Sequence, residues 1–261
     1  MASSMITGLL AAGVPRDRIR ASAPSESSRE RLRSNYQIEV FRENSLAASG
    51  AEVIVLAVKP QVMRLVCEDL VQHLPSGVLV VSIAAGVTCS ALRVWTNDPS
   101  LAIVRCMPNT PSALGYGASG AFATSNVSSA QREIAQRLMA SVGETVWLDE
   151  EQLMDPVTAL SGSGPAYFFL LMEAMIAAGQ KMGLSYSAAE RLCIQTALGA
   201  AVMARESNLN VTELRKQVTS KKGTTEAALG VLLSSGFTET IERALRAAAD
   251  RSKELASEMR N

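Results

Sequence analysis

The sequence predicts an α/β fold, with a doubly wound parallel sheet over residues 1–150 and an all-helical domain over residues 151–261. Three observations support this prediction. Short β-branched runs alternate with helical patterns as far as about residue 150. Two of these runs, AEVIVLAV (51–58) and VLVVSIAA (78–85), are apolar without interruption, which is typical of strands buried on both faces of a parallel sheet. Beyond residue 150 only helical periodicity remains.

The predicted elements of the first half are strands at 18–22, 51–58, 78–85, 101–107, 117–124 and 144–149, and helices at 1–12, 25–33, 61–74, 88–95 and 128–141. The second half contains predicted helices at 151–161, 165–182, 185–206, 211–218, 224–234 and 237–259. The last of them places Phe237, Ile241, Leu245, Ala248, Leu255 and Met259 on one side. The stretch PAYFFLLMEAMIAAGQKMG is apolar nearly all round, so a large core or another subunit has to cover it. We therefore interpret the helical domain as an oligomerisation domain.

Composition excludes several classes of protein. Lys plus Arg and Asp plus Glu both number 25, so the basic excess of a nucleic-acid-binding protein is absent. The four cysteines are widely spaced and His73 is the one histidine, which leaves no metal site and no Ser–His or Cys–His catalysis. The longest apolar run, Ala166 to Gly179, is shorter than the about 20 residues that span a bilayer, and no signal peptide begins the chain. We expect a soluble, cytoplasmic protein with reduced, mostly buried thiols and a surface His73.

The front of the predicted sheet lacks its usual dinucleotide signature. A sheet of this type normally begins with a strand and a glycine-rich turn, followed by a helix whose N-terminus holds a pyrophosphate. Here the helix is present at 1–12, but the strand and the turn are not, and GxGxxG occurs nowhere in the chain. Two explanations stand side by side. Either the reading frame begins at an internal methionine, which we favour, or the protein has lost its phosphate loop.

Ligands of doubly wound sheets bind beyond the carboxyl ends of the strands. This rule selects AVKP (57–60), SIAAG (82–86) and CMPNTP (106–111) as cofactor loops. The predicted cofactor-binding residues in them are Ala57, Val58, Lys59, Pro60, Ala84, Ala85, Gly86, Met107 and Asn109. The second strand supplies a further clue, because Ser22 and its neighbours stand where NAD-specific folds carry an acid. Ser22 and Ser25 could donate to a 2′-phosphate and Arg29 could neutralise it, so NADPH is favoured over NADH.

The segment TSKKGTTEAAL (219–229) reads as a loop that runs into a helix. Free N–H groups at a helix start form an anion site, which suits a substrate carboxylate. Gly223 permits a close backbone approach, and the hydroxyls of Ser220, Thr224 and Thr225 add donors. The alternative is that these hydroxyls only cap the helix. The segment SGSGP (161–165) is likewise open to two interpretations, a close approach to the cofactor or tight packing between helices.

Three motifs, VRCMPNTP (104–111), VTALSGSGPAY (157–167) and VTSKKGTTEAAL (218–229), resemble those of pyrroline-5-carboxylate reductases, in the same order. LAVKP (56–60) and SIAAGV (82–87) match as well, and the resemblance covers nearly the whole chain. It implies a Rossmann-like domain whose first strand is missing, followed by a helical dimerisation domain, in homodimers that assemble further, up to a decamer. It also implies the reaction, hydride transfer from NADPH to the C=N carbon of 1-pyrroline-5-carboxylate, which makes L-proline.

The resemblance extends to single residues. Thr225 matches the threonine that lies near the imine nitrogen, which makes it the predicted catalytic residue, and Asn44 matches a cofactor position near the 2′-phosphate. One segment departs from the family, because Lys221 and Lys222 replace the Pro and first Gly of S-P-G-G-T-T. Two alternatives to this function remain: an NADPH-dependent reductase of small hydroxy acids, which would use Lys181, and a dimerising protein without catalytic activity.

Overall fold

The computed structural model describes residues 1–258. Its strands are β1 (Arg20–Ser22), β2 (Glu39–Phe41), β3 (Val53–Leu56), β4 (Leu79–Ser82), β5 (Ala102–Met107), β6 (Gly117–Ala123) and β7 (Gly143–Leu148). Its helices are α1 (Ala2–Ala11), α2 (Glu26–Tyr36), α3 (Asn44–Ala48), α4 (Pro60–Leu70), α5 (Cys89–Trp95), α6 (Ser129–Ala140), α7 (Met154–Val157), α8 (Gly164–Lys181), α9 (Tyr186–Glu206), α10 (Val211–Gln217), α11 (Thr224–Ser234) and α12 (Phe237–Glu258). The chain divides into two compact units, one made of Met1–Ser163 with the stretch that begins at Arg246, the other of Gly164–Leu245. The predicted functional division at residue 150 stays a prediction.

The first unit contains the predicted α/β sheet. A five-stranded sheet runs in the order β3-β4-β5-β6-β7, and β3, β4 and β5 are mutually parallel. The strand β6, however, is antiparallel to β5, which the sequence pattern does not predict. The reason is the connection: after Met107 the chain makes only a short 3₁₀ turn at Thr110–Leu114 before β6 begins. A parallel crossover needs a dozen or more residues, so the chain reverses instead.

A separate parallel pair, β1 and β2, accompanies this sheet. The strand β2 and the helix α3 were not predicted, because elements of three and five residues carry too little periodicity to be recognised. The helix α1 contacts both parts of the fold, since Met5 packs with β4 and β5 residues while Ile6 packs with Val40 of β2.

Both faces of the main sheet are covered by helices, as the uninterrupted apolar strands predict. All four residues of β4 are buried. On one face, Met63 of α4 and Leu92 of α5 join the core, and on the other face Met139 of α6 does so. The four cysteines are free and buried, and His73 is exposed, which confirms the predictions for these residues. Within residues 1–258 no group of three His, Cys, Asp or Glu side chains lies close enough to hold a metal ion.

The segment after β7 differs from the single helix predicted at 151–161. It consists of a 3₁₀ turn at Glu151–Leu153, the short α7, and a π-helical turn at Thr158–Gly162. The π-turn is closed by a hydrogen bond from the Ser163 N–H to the Thr158 carbonyl. Such turns are rare and are frequent at functional sites. The second half of α12 belongs to the same unit, where the Ser252 hydroxyl donates to Asp155 Oδ1 over 2.7 Å.

The second unit is helical, as predicted, and α8 packs on α9, where Gly179 admits the Ala189 side chain. Large apolar side chains are nevertheless exposed in the single chain, and Phe168 and Phe169 are each 64% accessible. By length and composition the helical run Glu151–Lys181 could cross a membrane, and 11% of its apolar 18-residue window is buried. A helix that packs against another subunit has the same apolar composition as a membrane-spanning helix, so composition alone does not separate the two. Met259, predicted on the apolar side of the last helix, lies outside the described residues.

Candidate active site

The parallel strands β3, β4 and β5 bring the predicted cofactor loops to one edge of the sheet. Their carboxyl ends are adjacent in the sheet order, so the loops at 57–60, 84–86 and 107–109 line the same edge. Pro60 opens α4, and Lys59 precedes it without a side-chain cap, so that the start of the helix remains open to a ligand. Gly86 has a φ of 76°, a left-handed conformation that favours glycine. The side chains of Ala57, Val58, Ala84 and Ala85 are small or apolar; Ala84 is buried in the core and the other three are partly buried.

Ser22 and Asn44, predicted from separate arguments, lie together. The Ser22 hydroxyl donates to Asn44 Oδ1 over 2.8 Å, and Asn44 Nδ2 donates to Asp69 over 3.0 Å. Arg29, by contrast, is buried and faces inward: its guanidinium donates to the carbonyls of Ala23 and Pro24 and pairs with Glu26. It is therefore engaged by the protein itself and is poorly placed to neutralise a phosphate. Ser25 caps α2 by accepting from the Ser28 N–H.

A cation that the sequence did not single out, Arg42, follows directly after the strand β2. Ser22 pairs with Phe41 across β1 and β2, and Arg42 follows Phe41 directly. Arg42 is exposed and makes no hydrogen bond or ion pair within residues 1–258. The signal for it was available in the chain, since Arg42 stands two positions before Asn44, but recognising it required the short strand β2.

Asn109 joins three segments of the first unit. Its Oδ1 accepts from the Ala118 N–H at the start of β6 over 2.9 Å, and its Nδ2 donates to the Ser161 carbonyl in the π-turn over 3.0 Å. The side chain is buried, so its hydrogen-bonding groups serve mainly the protein. Met107 packs against Gly162. A Cβ added to Gly162 would lie 2.7 Å from the Met107 methyl carbon. This contact supports close packing as one role of the SGSGP segment.

The loop at 220–225 lies in the second unit and has the predicted geometry of a helix start. Gly223 is the N-cap of α11, its N–H donates to the Ser220 carbonyl over 3.0 Å, and a Cβ on it would clash with the Ser220 hydroxyl. No side chain caps this helix, so the hydroxyls of Ser220, Thr224 and Thr225 do not serve the capping role considered above. They form no hydrogen bond within the described part of the chain. The first turn of α11 therefore keeps open N–H groups and unbonded hydroxyls, the arrangement that the sequence predicts for a carboxylate site.

Lys222 holds this loop in an unusual backbone conformation. Its φ is 59°, in the left-handed region that non-glycine residues seldom adopt, and its N–H donates to Glu226 Oε2 over 2.6 Å. Both Lys221 and Lys222 are exposed.

The two cysteine thiols near the predicted cofactor loops are not nucleophiles at neutral pH. Burial raises the pKa of the Cys106 thiol, adjacent to Met107, to about 12. Burial, reinforced by the Glu151 carboxylate, also raises the pKa of the Cys89 thiol far above its ordinary value. Both sulfurs therefore stay protonated at neutral pH. A surface pocket of about 780 Å³ beside Cys89, Arg93 and Phe122 contains none of the predicted site residues.

Comparison with known proteins agrees with this architecture. Residues 151–255 match the family described as pyrroline-5-carboxylate reductase dimerisation, and residues 1–86 match the family described as NADP oxidoreductase, coenzyme F420-dependent. The pyrroline-5-carboxylate reductase of Pseudomonas aeruginosa is 51% identical over 259 residues, which are 99% of this chain and 94% of the relative. That of Haemophilus influenzae is 44% identical over 257 residues, covering 98% of this chain and 94% of the relative.

Solved structures give the same result. A pyrroline-5-carboxylate reductase from Coxiella burnetii superposes with a TM-score of 0.94 at 41% identity, over 97% of this chain and 94% of that one. The Plasmodium falciparum enzyme with NADP bound superposes with a TM-score of 0.84 at 30% identity, again over 97% and 94%.

The fold and its loops define a dinucleotide-binding oxidoreductase with a helical oligomerisation module. Within that class, the chain belongs to the pyrroline-5-carboxylate reductase family. The sequence-based assignment of the family, the Rossmann-like fold and the class of enzyme is thereby confirmed.

Proposed function

We propose that the protein reduces 1-pyrroline-5-carboxylate to L-proline, the last step of proline biosynthesis, with NADPH as the hydride donor. The observation that carries the proposal is the uncapped start of α11, where three unbonded hydroxyls surround Gly223. The substrate is a ring that bears one carboxylate and one imine. A site with open N–H groups and hydroxyl donors suits that substrate.

The substrate carboxylate would bind at the N–H groups of the first turn of α11, with Ser220 and Thr224 as additional donors. Thr225, half-buried one residue further on, would lie at the imine nitrogen. The imine is readily protonated in water, so the main task of the chain is to hold the ring in a fixed orientation. Thr225 would hold or relay the proton at that nitrogen, while the carbon of the C=N bond receives the hydride.

The dinucleotide, when bound, supplies the hydride. The proposed cofactor residues are those of the three loops, Ala57 to Pro60, Ala84 to Gly86, Met107 and Asn109, together with Ser22 and Asn44. The absence of an acid at Ser22 favours NADPH over NADH, because a carboxylate there would repel a 2′-phosphate. Arg42 is the cation we assign to that phosphate, since Arg29 is engaged elsewhere. The Ser22 hydroxyl would have to turn away from Asn44 to donate to it.

The exposed apolar side chains of α8 and α9 support assembly as a homodimer, and we propose that dimers assemble further, up to a decamer. We place the enzyme in the cytoplasm. Its balanced charges give no reason to expect a nucleic-acid partner. The apolar surface of its helical unit is explained by dimerisation, so no membrane partner is needed.

The direct test measures proline formation and NADPH consumption with pyrroline-5-carboxylate, and with a small hydroxy acid as the competing substrate. Turnover of the hydroxy acid alone, or of neither compound, contradicts the proposal. For Thr225→Ala we expect kcat to fall about 100-fold, the scale of one lost proton-transfer group, while the Kd for NADPH changes less than about twofold. Thr225→Ser should recover most of the turnover. Thr212→Ala, an exposed threonine on α10, is the matched control. Equal losses of turnover and NADPH affinity would show that Thr225 has only a structural role.

A further inference from the structure

The Glu151 carboxylate lies where three segments of the first unit meet. Its Oε1 accepts from the Cys89 N–H over 2.8 Å and from Arg105 Nη1 over 3.0 Å. Cys89 is the first residue of α5, Arg105 lies on β5, and Glu151 opens the 3₁₀ turn after β7. One oxygen atom therefore connects positions that are 62 and 46 residues away along the chain.

This ion pair differs from surface ion pairs because both side chains are largely shielded from solvent. The Arg105 side chain is 5% exposed and that of Glu151 is 25% exposed, and Arg105 Nε is buried without a partner. A guanidinium in such a place depends on its counter-charge, because an unpaired charge in the interior is strongly unfavourable. A buried pair of this kind contributes little net stability compared with apolar side chains of the same volume. Its position in the fold suggests another use.

Each of the three segments adjoins a loop or turn of the candidate active site. Cys89 follows Gly86 by three residues, and Arg105 precedes Met107 by two. The segment that begins at Glu151 continues into the π-turn, where the Ser161 carbonyl accepts from Asn109. The chain from 151 to 161 is thus attached to β5 at its start and to the loop after β5 at its end.

We propose that Glu151 and Arg105 are positioning residues, which hold the loops at 84–86 and 107–109 in the arrangement that binds the dinucleotide and orients it for hydride transfer. The inference rests on the proposed function, since it assigns these loops to the cofactor. The pair acts through the loops: Arg105 fixes the end of β5 before Met107, and Glu151 fixes the start of α5 after Gly86.

The test uses the full-length protein and three variants. Glu151→Ala removes both hydrogen bonds. The double variant R105M/E151Q removes both charges and the tie to β5, while the glutamine oxygen still accepts from the Cys89 N–H. R18M/E52Q applies the same exchange to an exposed pair, whose side chains are 66% and 73% accessible, and serves as the matched control. Each protein is studied by its unfolding temperature, hydrogen exchange of the backbone amides, NADPH affinity by fluorescence, and steady-state kinetics.

For R105M/E151Q we expect an unfolding temperature close to that of the wild type, because no lone charge is left buried. The amides of Met107, Asn109, Thr110 and Ser112 should exchange about tenfold faster. The kcat/KM for NADPH should fall about 10- to 100-fold, since a displacement of about 1 Å has effects of this size. Amides of α6 should be unchanged. In Glu151→Ala the faster exchange should extend to 86–91.

Wild-type exchange at 107–112 in a folded double variant would overturn the proposal, and so would wild-type NADPH affinity and turnover. Equal acceleration of exchange in α6 would also overturn it, because the pair would then act only on global stability. An inactive wild-type protein would instead refute the proposed function, and the exchange data would still decide whether the pair orders the loops.

Discussion

Replacing Asn109 with alanine should destabilise the first unit through a defined pair of hydrogen bonds. The asparagine side chain is 9% exposed and satisfies the Ala118 N–H over 2.9 Å and the Ser161 carbonyl over 3.0 Å. Alanine leaves both backbone groups without this partner, at a cost of about 1 kcal/mol each or somewhat more. The expected loss is therefore roughly 2–3 kcal/mol, which corresponds to a decrease in unfolding temperature of about 4–12 °C for a unit of this size.

Calorimetry of the variant and the wild type measures this loss directly. Asn35→Ala is the control, because Asn35 is exposed on α2 and makes no hydrogen bond in the described part of the chain, so its effect should stay within about 0.5 kcal/mol. Asn109→Asp separates the two bonds. Its carboxylate still accepts from the Ala118 N–H but cannot donate to the Ser161 carbonyl, and it places negative charge beside that oxygen. We expect it to be at least as destabilising as alanine at neutral pH. An unfolding temperature for Asn109→Ala within about 1 °C of the wild type would refute this reasoning.

Three further predictions concern the loop at 220–225 and the buried thiols. Lys222→Gly should raise the free energy of unfolding by about 1 kcal/mol, the cost of a left-handed backbone for a residue with a Cβ. The control Lys221→Gly should not raise it. A higher unfolding temperature for Lys221→Gly than for Lys222→Gly would contradict the strain argument. Burial raises the pKa of the Cys67 and Cys106 thiols to about 12. A thiol-specific reagent at pH about 8 should therefore label them only after unfolding, whereas rapid labelling of the native protein would show that they are accessible. Because the folded-state pKa values exceed the ordinary value of 9.0, stability should fall as the pH rises between about 9 and 12, which unfolding curves at several pH values would detect.

The sequence predicted those parts of the fold that depend on local periodicity. The strand VLVVSIAA was recognisable from its uninterrupted apolar run, and the structure buries all four residues of β4. The helices of the second unit were recognisable because their apolar residues repeat over several turns. The direction of β6 was not predicted, because alternation of side chains carries no information on whether a strand runs parallel or antiparallel. The antiparallel direction follows from the short connection at 108–116, which is too short for a parallel crossover.

The candidate site was predictable to the extent that its residues stand in loops after strands or at a helix start. Arg42 was missed because β2 has only three residues. The Glu151–Arg105 pair was missed because its members are 46 residues apart, and such contacts depend on how the whole sheet packs. The two bonds of Asn109 were hidden for the same reason. The sequence selected Asn109 as a cofactor residue, which stays a prediction, and only the packing around it shows that its side chain bonds to neighbouring backbone groups.

The path of α12 has a practical consequence for dissecting the protein. This helix begins in the second unit and ends in the first, where Ser252 bonds to Asp155. The first unit is therefore discontinuous in the chain, and a fragment that stops after Ser163 would lack one of its own helical segments. To isolate the dinucleotide-binding unit for ligand titration, the gene has to encode residues 1–163 joined by a flexible linker to the stretch that begins at Arg246.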